Sequence, residues 1–351
     1  VIEQLENEKR RKAMTNTTPT LAAILLLTGA PALACAGENP PVARSGDRPQ
    51  RAVNYTKLAR SLVRHPNNPV IEVGEKGAWN DQTLGCFTVL DAGDTFHFYS
   101  GGAQFGKKKN VGMATSKDGV NWIYSEKNPL FPGAMPYAIK VGETFRLYHP
   151  AGGGLQMRTS QDGFNWSEPK KVFESVMDPC VVRVAENKFH LYYCGNGGRK
   201  MIGGKNGWVF KNFLATSEDG VTWKKQPKMN LPFGPEGSWD STSQAGPCVL
   251  KLDDTFHMWY LGSANNWTGK TGDTMVWRIG HATSPDGLKW TKSAREPVLD
   301  LGKLGAWDGG SMLSFDIIFR DGKFLFWYAA SPTKHGDETK MRIQIGHGTS
   351  K

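Results

Sequence analysis

The chain has 351 residues, including twelve Trp and 41 Gly, and a formal net charge of +10. No basic helix or nucleic-acid motif accompanies that charge, which makes nucleic acid a poor fit as a partner. An anionic glycan or a solvated basic surface remain as its readings. Beyond the N-terminal leader no apolar run approaches the roughly 20 residues a helix needs to cross a bilayer.

In chain order, Lys9-Arg10-Arg11-Lys12 is a basic cluster, Leu21 to Leu27 an apolar run, and Ala32-Leu33-Ala34 a small-residue cleavage pattern. That order predicts a secretory signal peptide over 1–34 and a secreted or periplasmic protein. Cleavage would expose Cys35 as a site for a lipid anchor, although Ala32 stands where lipoprotein signals usually carry Leu. Residues 35–60 are polar and proline-containing and read as a linker. Residues 61–351 remain for the folded domain.

Self-similarity organises that domain. Thr-Ser recurs at Thr115-Ser116, Thr159-Ser160, Thr216-Ser217, Thr283-Ser284 and Thr349-Ser350, and the first four continue as Ser-x-Asp-Gly-x-x-Trp. Asp-Gly between strand-like runs is a tight-hairpin signal. Upstream of each unit lies an aromatic strand, such as Phe96-His97-Phe98-Tyr99 or Phe256-His257-Met258-Trp259, and before that an apolar strand. Four antiparallel strands repeated five times predict an all-β, five-bladed β-propeller. The fifth unit ends before its last strand. The segment around Pro69-Val70 matches Pro297-Val298 and is expected to supply that strand, closing the ring. Cys86, Cys180 and Cys248 fall at similar repeat positions and read as small buried strand residues, and His97, His190 and His257 as structural by repetition.

The Asp-Gly turns belong to one end of the blades and the entries to the first strands to the other. Those entries carry Trp79-Asn80-Asp81, Met177-Asp178-Pro179, Glu236 with Trp239-Asp240, and Trp307-Asp308. Long insertions after the second strands bring Trp208 and Trp267 to the same end, and His149 closes the second strand of the second unit. Aromatic platforms and polar groups suit sugar faces and hydroxyls. Trp79, Trp239 and Trp307 also suit a packing role that seats blades, and Asp240 and Asp308 a loop-capping role.

The blade pattern, with Met177-Asp178-Pro179-Cys180 and the Trp-Asp entries, resembles the five-bladed glycosidases of glycoside hydrolase families 43, 32 and 117 over about residues 65 to 351. The resemblance implies three carboxylates: Asp81 as base or nucleophile, Asp178 as the orienting carboxylate and Glu236 as general acid. The residues gathered at that same end, Trp79, His149, Trp208, Trp239, Asp240, Trp267 and Asp308, are the expected substrate contacts. No cofactor is required, and a structural or water-bridged calcium ion in the central cavity is compatible with the fold. The expected partner is an oligo- or polysaccharide, cleaved by acid/base chemistry that needs a proton donor and a second carboxylate facing the anomeric carbon. A non-catalytic glycan-binding propeller, and a lyase or phosphorylase on the same scaffold, are the competing readings.

Overall fold

The computed structural model describes residues 53–103, 109–268, 275–334 and 342–351. The expected signal peptide, Cys35 and the linker up to residue 52 lie outside the described residues. In chain order come α1 (Tyr55–Ala59) and β1 (Leu62–Arg64). Blade I follows as β2 (Thr83–Asp91), β3 (Phe96–Ala103), β4 (Asn110–Ser116), β5 (Ile123–Tyr124) and β6 (Phe131–Pro132). Blade II is β7 (Tyr137–Val141), β8 (Thr144–Ala151), β9 (Gly154–Ser160) and β10 (Lys170–Glu174). Blade III is β11 (Met177–Ala185), β12 (Lys188–Ile202), β13 (Lys205–Ser217) and β14 (Lys224–Gln226). Blade IV is β15 (Ser243–Leu252), β16 (Thr255–Ser263), β17 (Arg278–Ser284) and β18 (Thr291–Lys292), and blade V is β19 (Ser311–Arg320), β20 (Lys323–Ser331) and β21 (Gln344–Ser350). All pairing inside a blade is antiparallel, and the first strands β2, β7, β11, β15 and β19 touch one another in a closed ring around the axis. Among the described residues no helix is long and apolar enough to cross a membrane.

The fifth blade is completed as its truncated repeat requires. β1 pairs with β21, and after a loop Val70 and Ile71 rejoin the same strand through Ile345. The formal strand therefore lies ahead of Pro69-Val70, and the whole stretch 62–71 serves as the missing edge.

The Ser-x-Asp-Gly segments form the far end of the blades, but not as two-residue hairpins. In blade II, Ser160 Oγ accepts from the Gly163 amide at 2.9 Å. Asp162 Oδ1 accepts from the Phe164 and Asn165 amides at 2.8 Å each, and these bonds hold its carboxyl well below the usual aspartate range. The glycine then bolts the turn to the preceding blade. Tyr99 Oη donates to the Gly163 carbonyl (2.8 Å), Tyr148 to Gly220 (2.9 Å), Tyr192 to Gly287 (3.1 Å), and Trp327 Nε1 to Gly119 (2.9 Å). The motif tryptophan packs edge-on against the same donor ring, as Trp166 does on Tyr99 and Trp290 on Tyr192.

Four of the five blade junctions have this bolt. Among the described residues the junction from blade IV to blade V shows no such bolt. There Trp259 Nε1 is buried without a hydrogen-bond partner among the described residues, and α1 packs beside it. Asn54 caps this helix at the Lys57 amide (2.9 Å), Tyr55 packs on His257 and Phe319, and Ala59 is wholly buried beside Trp259 in one cluster. The last part of the expected 35–60 linker is thus folded, and the domain reaches back beyond residue 61.

His97, His190 and His257 are buried between blades. His97 stacks on Phe145 at 5.7 Å and His190 on Phe256 at 5.5 Å, and burial lowers the pKa of each of the three. A test of the bolt is Gly163→Ala. Gly163 has φ +77, and a Cβ there would stand 2.8 Å from Tyr99 Oη. Left-handed strain plus overpacking is expected to cost about 2–4 kcal/mol, read as a lower urea midpoint with unchanged slope.

Candidate functional site

The site is built by strand register. Counting along each first strand from its aromatic partner places Thr88, Tyr137, Cys180, Cys248 and Asp316 at one level of the axis, opposite Tyr99, Tyr148, Tyr192, Trp259 and Trp327. This level is a hydrogen-bonded plug. Asp316 Oδ2 accepts from Thr88 Oγ1 (2.9 Å) and the Val89 amide (2.7 Å), and Oδ1 from Cys248 Sγ (3.2 Å) and the Ile317 amide (2.9 Å). Cys180 Sγ accepts from the Val249 amide at 3.3 Å and bonds to Tyr137.

Cys86, Met135, Asp178, Gly246 and Ser314, two residues earlier on each strand, line a small pocket open at the mouth end. Cys86 therefore sits one level above Cys180 and Cys248, not in register with them. In blades II, III and IV the pocket residue precedes a proline and takes positive φ: Met135 (47°), Asp178 (46°) and Gly246 (50°). Left-handed backbone is free of strain at glycine and costs about 1–3 kcal/mol at other residues, a strain that clusters at ligand and active sites. The first strands of blades I, III, IV and V break register at this level, so the local kink turns these side chains to the axis.

Asp178 is half-buried there. Its Oδ1 accepts from Cys86 Sγ at 3.1 Å, and the Gly246 amide donates to its carboxyl. Burial raises its pKa, opposed by those bonds and by the Lys109 cation at the rim. Burial likewise pushes the Cys86 thiol well up, so it stays protonated and donates to Asp178.

The other expected site residues are placed elsewhere. Residues 74–81, 234–241 and 302–309 form one loop three times, closed by backbone bonds Gly74 to Asn80, Gly234 to Asp240 and Gly302 to Asp308. Its tryptophan packs on its own blade rather than between blades: Trp79 lies against Gly102 and Gly112, Trp239 stacks on Tyr260, and Trp307 packs on Tyr328. The next residue anchors the loop to the blade's outer strand. Asn80 Nδ2 donates to Tyr124 Oη, Asp240 pairs with Lys292 and accepts from Tyr260, and Asp308 pairs with Arg64 at 2.9 Å. Both aspartates are buried, so their capacity is spent inside the blade. Asp81 Oδ2 staples the loop at the Gly77 amide (2.8 Å). Glu236 is exposed at a loop position that Leu304 occupies, 98 % exposed, in blade V.

Asp81 and Glu236 are not among the residues that line the pocket, and among the described residues that do, Asp178 is the single carboxylate. His149 is buried beside Phe131, with Nε2 accepting from Arg158 Nε at 3.3 Å; burial lowers its pKa to about 4. Trp208 and Trp267 meet at the rim by backbone bonds. Calcium prefers six to eight oxygen ligands. The pocket offers one carboxylate, and among the described residues no three His, Cys, Asp or Glu side chains come together, so the donor set does not suit calcium.

The residue that sequence reasoning passed over is Asp316. Aligning Phe324-Leu325-Phe326-Trp327 with the other aromatic strands puts it in the column of Cys180 and Cys248, a polar residue where the axis should be packed.

No family model matches this chain. An uncharacterized protein of Mycobacterium tuberculosis is 26 % identical over 237 residues, covering 58 % of this chain and 75 % of its own length. An A type blood N-acetyl-alpha-D-galactosamine deacetylase of Flavonifractor plautii is 29 % identical over 281 residues, 63 % of this chain and 36 % of that protein. Among solved structures, an N-acetylgalactosamine deacetylase from F. plautii in complex with blood group B trisaccharide superposes with a TM-score of 0.63 at 18 % identity, covering 83 % of this chain and 95 % of that one. A thermostable family-43 glycoside hydrolase gives 0.56 at 17 % identity, covering 78 % and 91 %. The five-bladed fold is one that glycoside hydrolases share.

Asp316 generates a measurable pH effect. Burial raises its carboxyl to about 6. Its stabilising contribution is complete below the unfolded aspartate value and is lost as pH rises through about 6. Buried histidines titrate with the opposite sign, so the readout is a difference. Raising pH from about 4 to 7 should lower wild-type stability relative to Asp316→Asn by about 3 kcal/mol in denaturant melts. Parallel pH profiles would refute the assignment.

Proposed function

We propose that this chain is an exported hydrolase acting on a saccharide, with Asp178 as the proton-carrying carboxylate of its axial pocket. The observation that carries this reading is the strained, half-buried aspartate at the axis, where blade IV places an unstrained glycine. A raised pKa suits a group that must hold a proton until a leaving oxygen or nitrogen takes it. Cys86 and the Gly246 amide orient the carboxyl, and Lys109 steadies the charge left after the proton departs. The role read from the sequence thus shifts, since Asp178 was expected only to orient.

Glycoside cleavage through two carboxylates needs a partner about 5–9.5 Å away. The separation of Asp81 and Glu236 from the pocket favours one second reading, a glycan-binding propeller that performs no cleavage. The deacetylase relative adds N-acylated amino sugars to the substrates to be tried.

The test incubates neutral, acidic and N-acetylated oligosaccharides with wild type, Asp178→Asn, Asp178→Gly, Asp81→Asn and Glu236→Gln, resolving products by chromatography. Both Asp178 variants should lose at least about 100-fold in kcat/KM. Asp81→Asn and Glu236→Gln should stay within about threefold, since a change in an exposed loop seldom alters stability or geometry much. Asp178→Gly, matching Gly246, should leave stability within about 1 kcal/mol because relieved strain offsets added chain entropy. Saccharide binding without turnover by wild type would establish the second reading instead.

A further inference from the structure

Above the axial pocket, β12 and β13 continue beyond Cys194, the partner of Met177, as a projecting hairpin. From Asn187 to Ser217 the chain has no acidic residue, while Arg199, Lys200, Lys205 and Lys211 lie in the projecting part. Among the described residues none of these four cations has an ion-pair partner. The hairpin is nevertheless braced. Asn266 Nδ2 donates to the Lys200 and Lys205 carbonyls at 2.7 and 2.8 Å, and Trp208 and Trp267 exchange backbone bonds of 2.6 and 2.8 Å. Gly207 permits this approach, since a Cβ there would stand 2.7 Å from the Trp267 carbonyl.

Directly paired residues of antiparallel strands share a face. Arg199 pairs with Trp208, so the guanidinium and the indole share one face of the hairpin. The Arg199 guanidinium lies 4.5 Å over the Trp208 ring, which is 39 % exposed. Arg199 uses one donor group on the Asn206 carbonyl (2.9 Å), and the rest of its planar fork is open to an anion.

We propose that this hairpin is a binding subsite for an acidic polysaccharide, with Trp208 as the platform for a sugar ring and Arg199, Lys200 and Lys205 as partners of its sulfate or carboxylate groups. The subsite names the substrate class of the hydrolase reading and rests on it for the path of the glycan toward Asp178. A charged platform held rigid before binding loses little entropy when a stiff polyanion settles on it. Lys109 continues the positive field to the pocket rim.

The experiment is calorimetric titration of wild type and Asp178→Asn with a sulfated galactan, a polyuronate, a neutral galactan and a DNA duplex, at two salt concentrations. Either or both acidic glycans should bind, more weakly at high salt. The stronger of the two identifies sulfate or carboxylate as the recognised group. Arg199→Gln and Trp208→Leu should each weaken that binding about tenfold, the scale of a charge-assisted contact. Lys323→Gln, an exposed cation at the opposite end of blade V, should leave it unchanged. Equal binding of the neutral galactan, equal binding of DNA, or full affinity in both hairpin variants would overturn the proposal. Hairpin-dependent binding of acidic glycans that are never cleaved would retire the hydrolase reading and leave the subsite. Cleavage of a neutral glycan unaffected by the hairpin variants would do the reverse.

Discussion

One contact organises this molecule: an aromatic donor on the second strand of a blade, bonded to the carbonyl of a glycine in the next blade's Ser-x-Asp-Gly turn. Neighbouring sheets of a propeller meet face to face, and only scattered backbone bonds, such as the Leu84 amide to the Ile343 carbonyl, cross between them here. Their relative rotation is therefore set largely by side chains. The glycine presents its carbonyl from a left-handed conformation and leaves room for the tyrosine or tryptophan head, while the motif tryptophan packs that ring from the side. Repeated round the ring, the contact fixes the angle at which five first strands arrive at the axis. The axial plug and the pocket above it inherit their geometry from that angle.

The architecture was legible because the same contact leaves a written trace. Ser, Asp, Gly and Trp each have a separate physical duty in the turn, so their spacing recurs whatever the loops between them do. The closure was legible for the same reason, as a blade lacking its last strand. The plug was less visible. Thr88, Tyr137, Cys180, Cys248 and Asp316 share a level but no residue type, and only strand register aligns them.

The Trp-Asp entries carried two readings for an instructive reason. A tryptophan followed by a carboxylate at the start of a first strand suits a sugar site and suits a loop anchor equally well. The outer-strand partner decides between them. Asn80 faces Tyr124, Asp240 faces Lys292, and Asp308 faces Arg64. An amide meets a hydroxyl and each acid meets a cation, a complementarity inside the blade that spans 44 residues or more of sequence. Asp178 stands apart because its entry has no such loop and its backbone is held in a conformation that aspartate adopts at a cost.

Blade V joins the two ends of the folded domain. Ser61 Oγ donates to the Lys351 carbonyl at 3.1 Å across a sequence separation of 290, β1 lies on β21, and α1 packs beside Trp259 at the seam between blades IV and V. A growing chain can assemble its earlier blades from neighbours in sequence, but it cannot become a ring until its last strand arrives, the slow and non-local step of such a topology. Until then the first-made segment has nothing to pair with and the seam beside Trp259 stays open. The fastening is mutual: either end, once loosened, releases the other.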